Sequence, residues 1–233
     1  MNTDNILFFI LVGGYGTRLK SKVKHLPKPM LLVNNEPFLN HKIRHIRYYF
    51  KNSPIYLLSH YLSNVFEEFY NKSKNIEIIK ETNPLGTGGA IKNAIYQIKL
   101  PLKSRLVVIN GDTYDKIDYN KLVSEKNDIN LVCRRESNCD KYNTINVNEH
   151  GYIRDFKEKS KNIKNKYINA GSYFFNKLNF FNEINHDAFS LEDEFIKKVN
   201  DLHIKAFKYN GPFLDIGTPD DLNKIEETIN KYG

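Results

Sequence analysis

Cysteine is scarce in this chain. Cys133 and Cys139 are its two, with no Cys-x-x-Cys spacing and no clustered histidines as partners. A disulfide framework and a zinc site are not expected from such a pattern, and reduced thiols in a cytoplasmic protein are. Long apolar runs are missing too: none reaches the roughly 20 residues that a membrane span needs. The stretch Ile6 to Val12 is far shorter and has neither a basic leader nor a small-residue cleavage site, so it does not read as a signal peptide. Internal repeats and low-complexity linkers are also absent. Charge of one sign is not gathered on one stripe. The balance of 35 Lys+Arg against 27 Asp+Glu gives a formal charge of +8, but the lysines are scattered singly among Asn and Ile. That argues for a solvated basic surface rather than a nucleic-acid stripe or a membrane face, and it suits small anionic substrates. A length of 233 residues suits one α/β domain.

What is present alternates. The apolar run Ile6 to Val12 has strand length. Glu36-Pro37-Phe38-Leu39 opens a helical stretch with Phe38, Ile43, Ile46 and Phe50 near one face, and Pro54 breaks it. Ile55 to Leu58 reads as a strand, Tyr61 to Tyr70 as a helix and Ile76 to Ile79 as a strand. A glycine-rich turn from Pro84 to Ala90 opens a helix through Ile98, and Leu106 to Ile109 is a fourth strand, ending in Asn110-Gly111-Asp112. Such alternation implies a doubly wound, mostly parallel sheet of Rossmann-like kind, with ligands beyond the carboxyl ends of the strands. The second half has strand-like stretches at Asn130 to Arg134, Thr144 to Val147, Ile153 to Phe156 and Tyr167 to Phe175, with little helix between them. A mixed β extension forming one wall of the cleft is expected there. Glu192 to Val199 reads as a helix, Pro212 to Pro219 as a strand running into a turn, and a last helix starts at Thr218 or Pro219.

The chain is organised around Leu11-Val12-Gly13-Gly14-Tyr15-Gly16-Thr17-Arg18-Leu19, followed by Pro27-Lys28-Pro29-Met30. Strand, glycine loop and then cations is the order expected where backbone N–H groups wrap phosphates, and glycines let the main chain come close. Two familiar phosphate motifs are ruled out. No Gly-Lys-Ser/Thr closes the loop, and Leu19 stands where a dinucleotide fingerprint needs a third small residue. Asp112, after an apolar strand, and Asp215, within Phe213-Leu214-Asp215-Ile216-Gly217-Thr218-Pro219, are carboxylates suited to a hard cation.

The pattern Leu-x-x-Gly-x-Gly-Thr-Arg followed by Pro-Lys-Pro resembles the nucleotidylyltransferases that activate sugar 1-phosphates. With Asn110-Gly111-Asp112, Asn169-Ala170-Gly171 and the Asp215 segment in the family's order, the resemblance covers almost the entire chain. Within the family it looks most like the guanylyltransferases for D-glycero-α-D-manno-heptose 1-phosphate. Thr17 to Ser21, Pro27 to Met30, Glu36 to Leu39 and Asn110 to Tyr114 carry that impression. The resemblance implies one domain over 1–233, with a nucleotide-binding half of about 1–125 and a sugar-phosphate-binding half of about 126–233. It implies NTP and sugar 1-phosphate as substrates, Mg²⁺ as cofactor, a homodimer as an admissible assembly, and no nucleic-acid or membrane partner. Leu11, Gly13, Gly14, Gly16, Thr17, Gly86 and Thr87 would bind the nucleotide. Arg18 would hold the departing pyrophosphate, and Lys28 would meet the α-phosphate and the incoming sugar phosphate. Asp112 and Asp215 would bind Mg²⁺. Glu158, Lys159 and Asn169 would contact the sugar phosphate, with Asn143 standing where the family usually has the Gly of Tyr-Gly. Asn is among the non-glycine residues that best tolerate positive φ.

Glu81 occupies the position of the Gln with which uridylyl members read the base. Guanine presents two adjacent donors, N1–H and the 2-amino group, and an ionised carboxylate accepts both. Uracil would set carbonyl oxygens against it. GTP is therefore the expected nucleotide. Mannose 1-phosphate guanylyl transfer, or transfer to another sugar 1-phosphate, is the alternative within the class. Outside it stands a non-catalytic sugar-nucleotide-binding regulatory subunit, disfavoured because Arg18, Lys28, Asp112 and Asp215 are all present.

Overall fold

A computed structural model describes residues 6–16, 26–140, 142–157, 161–217 and 219–232. The chain opens with β1 (Ile6–Leu11), buried along most of its length, and enters the glycine loop. A 3-10 turn, Lys28–Met30, follows Pro27, whose fixed φ suits the start of a helical turn. The short hairpin of β2 (Leu32–Val33) and β3 (Glu36–Pro37) leads into α1 (Phe38–Tyr49). Its buried face is Phe38, Leu39, Lys42 and Ile46. The expected stripe is only partly kept: Ile43 is half-buried, Phe50 lies just past the helix end, and a lysine takes a core position that hydrophobic periodicity would not choose.

β4 (Ile55–Ser59) is followed by α2 (Ser63–Tyr70). The helix starts two residues later than Tyr61 because Leu62 is left-handed, at φ 53°, and cannot propagate a right-handed turn. β5 (Ile76–Lys80), α3 (Gly86–Gln97), β6 (Arg105–Asn110), β7 (Thr113–Asp115) and α4 (Tyr119–Val123) complete the first half. The second half contributes β8 (Ile129–Asn138), β9 (Thr144–Val147), β10 (Ile153–Lys157) and β11 (Lys164–Phe175). Then come α5 (Asn179–Asn182), α6 (Leu191–Lys198), β12 (Ile204–Tyr209), β13 (Phe213–Asp215) and α7 (Pro219–Tyr232).

Nine of the described strands form one sheet, ordered β10-β9-β11-β6-β1-β4-β5, with β8 pairing β11 and β12. The strands β6, β1, β4 and β5 run parallel. β11 is antiparallel to β6 and β8, and β12 runs parallel to β8. The expected mixed extension thus continues the parallel sheet rather than standing apart from it. Two apolar cores lie on the faces of the sheet, one under α3 and α6 and the other under α1, α2 and α4. A third, with Leu31, Val33, Phe38, Tyr114, Ile216, Ile225 and Ile229, seats α7 against the β7–β13 ribbon. No helix among the described residues is long and apolar enough to cross a membrane.

The strand expected over Tyr167 to Phe175 is the second part of β11, and Asn169-Ala170-Gly171 lies within it, where the register against β8 shifts between Asn169 and Tyr173. Gly171 has φ +68° and sits so tightly against the Asn110 side chain that any Cβ would collide with it. Glycine therefore permits the irregularity and the close approach together.

Candidate active site

Four segments that leave the carboxyl ends of the parallel strands meet at one cavity of about 380 Å³. They are the glycine loop after β1, His60 after β4, Glu81 after β5 and Asn110 to Asp112 at the end of β6. Its lining holds nine residues singled out by the sequence: Leu11, Gly13, Gly14, Gly16, Lys28, Glu81, Gly86, Thr87 and Asp112. Asp215, Asn143 and Asn169 do not line it. Thr17, Arg18, Glu158 and Lys159 lie outside the described residues.

Within the glycine loop the positions differ. A Cβ on Gly13 would stand 3.0 Å from the backbone nitrogen of His60, so this glycine is favoured by the protein's own close packing. A Cβ on Gly14 would meet nothing, which leaves that backbone open to a ligand. Lys28 reaches past Gly16 to Asp112, with its Nζ 3.4 Å from Oδ2. The α3 glycines do something the sequence did not suggest. The N–H groups of Gly88 and Gly89 donate to the Phe189 carbonyl at 3.0 and 3.2 Å, and Thr87 Oγ1 accepts from the Leu191 N–H at 2.9 Å. Part of the helix N-terminus thus clasps the 187–191 segment instead of facing the cavity.

Glu81 is buried at the cavity wall. One carboxylate oxygen, Oε2, accepts from the Leu85 N–H at 3.0 Å, while Oε1 lies on the Gly13 side. Burial holds this carboxyl above the usual range, against the lowering effects of the Leu85 N–H and of His60. His60 belongs to no motif recognised in the sequence. The Glu81 carbonyl can only accept, so His60 Nδ1 donates to it at 3.1 Å. In the neutral ring, Nε2 then accepts from the Tyr15 hydroxyl at 3.1 Å. Its position straight after β4 was the available signal, since ligands gather at such strand ends.

Asp215 is held on both oxygens. The Thr113 hydroxyl donates to Oδ1 at 2.7 Å and the Tyr142 hydroxyl to Oδ2 at 3.3 Å. Burial raises its carboxyl above the ordinary range and outweighs the bond from Thr113, and the charge of Asp112 raises it further. Two carboxylates that repel each other are a donor set suited to a hard cation. Among the described residues no group of three or more His, Cys, Asp or Glu stands together to hold a metal. An ion at Asp112 and Asp215 would therefore complete its shell with phosphate oxygens and water, as Mg²⁺ does.

The raised carboxyl has a consequence for stability. The native state holds the Asp215 proton to higher pH than the unfolded chain does, so stability falls as pH rises from the ordinary aspartate range through the folded value. Asp215→Asn should accordingly raise the thermal midpoint at pH 8 in chelator by about 2–4 °C for each kcal/mol of relieved penalty. The gain should shrink to nothing in acid. Melting curves against pH read this directly, and an unchanged or lowered midpoint at pH 8 would contradict it.

On the sugar side, Asn169 has both N–H groups of its amide engaged. Nδ2 donates to the Tyr173 hydroxyl at 2.7 Å and to Glu192, and Oδ1 accepts from the Gly171 N–H at 2.8 Å. It can still accept a hydrogen bond but has no N–H left to give. The Asn143 backbone is not left-handed, so no tolerance of positive φ is called on there. Its neighbour Tyr142, half-buried and bonded to Asp215, is the member of that pair tied to the carboxylates.

A family model described as Nucleotidyl transferase matches residues 8–232. Two relatives carry the name D-glycero-alpha-D-manno-heptose 1-phosphate guanylyltransferase. The one from Campylobacter jejuni is 35% identical over 91% of this chain and 95% of its own. That from Aneurinibacillus thermoaerophilus is 34% identical over 96% and 98%. The crystal structure of HddC from Yersinia pseudotuberculosis superposes with a TM-score of 0.83 at 32% identity, over 95% of this chain and 98% of that one. The same protein solved with GMP-PN gives 0.82.

Proposed function

The chain belongs to the nucleotidyl transferase family, and from that premise we propose that it transfers a guanylyl group from GTP to D-glycero-α-D-manno-heptose 1-phosphate, releasing pyrophosphate. The observation that carries the choice of GTP is Glu81, a buried acceptor-only side chain at the wall of the glycine-loop cavity. The GMP-PN complex of the similar HddC supports it. The choice of heptose rests on the names of the two relatives, whose lengths this chain spans almost completely.

In this reading a phosphate oxygen of the sugar 1-phosphate attacks the α-phosphorus in line. One P–O bond forms, the bond to the bridging oxygen breaks, and pyrophosphate leaves. Gly14 leaves the backbone bare toward the phosphates. Lys28, 3.4 Å from Asp112, meets the α-phosphate and the incoming anion, and Arg18 holds the departing pyrophosphate. Asp112 and Asp215 would hold Mg²⁺, which would neutralise charge on the phosphate oxygens. Thr113 and Tyr142 fix the orientation of the Asp215 carboxylate through their hydroxyls. Positioning and charge neutralisation account for the chemistry, and no covalent nucleophile is needed.

Lys28→Ala should lower kcat by more than it raises the KM for GTP, because its charge meets charge that grows in the transition state. A loss confined to KM would mean that Lys28 binds ground-state phosphate only. The proposal as a whole is tested by pyrophosphate release in a matrix of GTP, ATP, CTP, UTP and dTTP against heptose, mannose and glucose 1-phosphates. The GTP–heptose pair should lead. Equal rates with mannose 1-phosphate would withdraw the heptose assignment, and leadership by another nucleotide would withdraw guanine.

A further inference from the structure

On α1, Lys42 stands in a row of core residues, and its partner is Asp115 of β7. Their side chains are 3% and 1% exposed, and Nζ lies 2.6 Å from Oδ2. The same ammonium donates to the Thr113 carbonyl at 2.7 Å. Thr113 in turn gives its hydroxyl to Asp215 at 2.7 Å and is the registered partner of Asp215 in the β7–β13 ribbon. Asp112 is the residue before Thr113, and its carbonyl accepts from the Ile216 N–H at 2.8 Å. One buried cation therefore stands behind the short ribbon that presents both carboxylates to the site.

Stability is a poor reason for this arrangement. Taking an ammonium and a carboxylate out of water costs about what their attraction returns, and apolar pairs of similar size often do as well or better. A leucine or methionine at position 42 would continue the α1 stripe. What such a side chain could not do is bond the Thr113 carbonyl. We propose that Lys42 is a positioning residue for the Asp112–Asp215 pair: it fixes the β7 backbone from the core side, so that the Thr113 hydroxyl meets Asp215 and the two carboxylates keep their spacing. The inference rests on the reading of those carboxylates as the Mg²⁺ ligands.

The test compares wild type with the double variant Lys42→Met/Asp115→Leu, which removes both charges and leaves neither partner buried alone. Mn²⁺ is titrated as the probe, by its electron paramagnetic resonance signal, onto protein holding a GTP analogue with a methylene bridge between the α and β phosphorus atoms. Guanine-nucleotide affinity in chelator, the melting temperature and kcat are measured alongside. The double variant should fold, keep its metal-free nucleotide affinity, and lose about 10- to 100-fold in Mn²⁺ affinity, with a parallel fall in kcat. Mn²⁺ affinity and kcat equal to wild type would overturn the inference. A double variant that does not fold would assign the pair to stability and overturn it as well. A wild type that binds no Mn²⁺ would remove the two-carboxylate reading itself, and this inference with it.

Discussion

Asparagine at position 112 or 215 should lower turnover by about two to four decades while the fold survives. The magnitude comes from what each carboxylate supplies. A divalent cation on phosphate oxygens contributes several kcal/mol of transition-state stabilisation, and about 1.4 kcal/mol is a decade of rate. Removing one of two ligand charges weakens the ion's hold and so forfeits most of that. The two variants should differ in their side effects. Asp112 is partly exposed and pairs with Lys28, so Asp112→Asn leaves a partly buried ammonium without its counter-charge. Asp215 is buried and its carboxyl sits above the ordinary range, so Asp215→Asn should lose activity yet gain thermal stability. Loss of activity together with a raised melting point would mark Asp215 as a group kept for function. The measurement is kcat against Mg²⁺ concentration for each variant, with a melting curve for each. Activity in chelator equal to that in Mg²⁺, or a variant within a factor of a few of wild type, would contradict the expectation.

The second large effect is on base choice. In the proposed reading guanine would give Glu81 two charge-assisted hydrogen bonds, each worth about 1.5–3 kcal/mol. The structure sharpens the expected effect of Glu81→Gln. Oε2 already accepts from the Leu85 N–H, so the glutamine carbonyl should take that bond and leave its NH₂ where Oε1 stood. A donor would then face guanine's donors. GTP kcat/KM should fall by roughly one to three decades, at about 1.4 kcal/mol per decade. UTP use should fall less, or rise, because an amide can donate to a uracil carbonyl. Acid should mimic the substitution. Burial raises the Glu81 carboxyl, so as pH falls through that raised value the side chain takes a proton and the KM for GTP climbs. In Glu81→Gln that limb of the pH profile should flatten. A GTP/UTP ratio unmoved by the substitution would show that Glu81 does not read the base.

The glycine loop and Asn110 to Asp112 were legible in the sequence because one local rule covers them: an apolar run that closes on a turn sets the next few residues at the mouth of the sheet. Glu81, at the end of β5, was picked out by the family resemblance instead, and His60, at the end of β4, was passed over because no motif marks it. The rest depends on pairings far apart in the chain. β13 falls in the strand expected within Pro212 to Pro219, but β7 is three residues with no periodicity to read, and the Thr113–Asp215 bond exists only through the register of two strands about one hundred residues apart. Asn169-Ala170-Gly171 has the composition of a turn but the context of a strand between two others, and there the context decides. The glycines at the start of α3 read only as a turn that opens a helix, and nothing local shows that Gly88 and Gly89 give their N–H groups to Phe189, a partner about one hundred residues away. Lys42 was hidden by the opposite error, since periodicity counts a lysine as surface until a buried carboxylate is found opposite it.

The most direct measurement is a single reaction: GTP, D-glycero-α-D-manno-heptose 1-phosphate, Mg²⁺ and the protein, with pyrophosphate counted and the nucleotide product weighed by mass spectrometry. The expected result is pyrophosphate and GDP-heptose in equal amounts, with neither formed when the sugar phosphate is left out. Pyrophosphate released without the sugar phosphate would make the protein a GTP-cleaving enzyme of another kind, and GTP bound without turnover would make it a sensor. Either result would contradict guanylyl transfer.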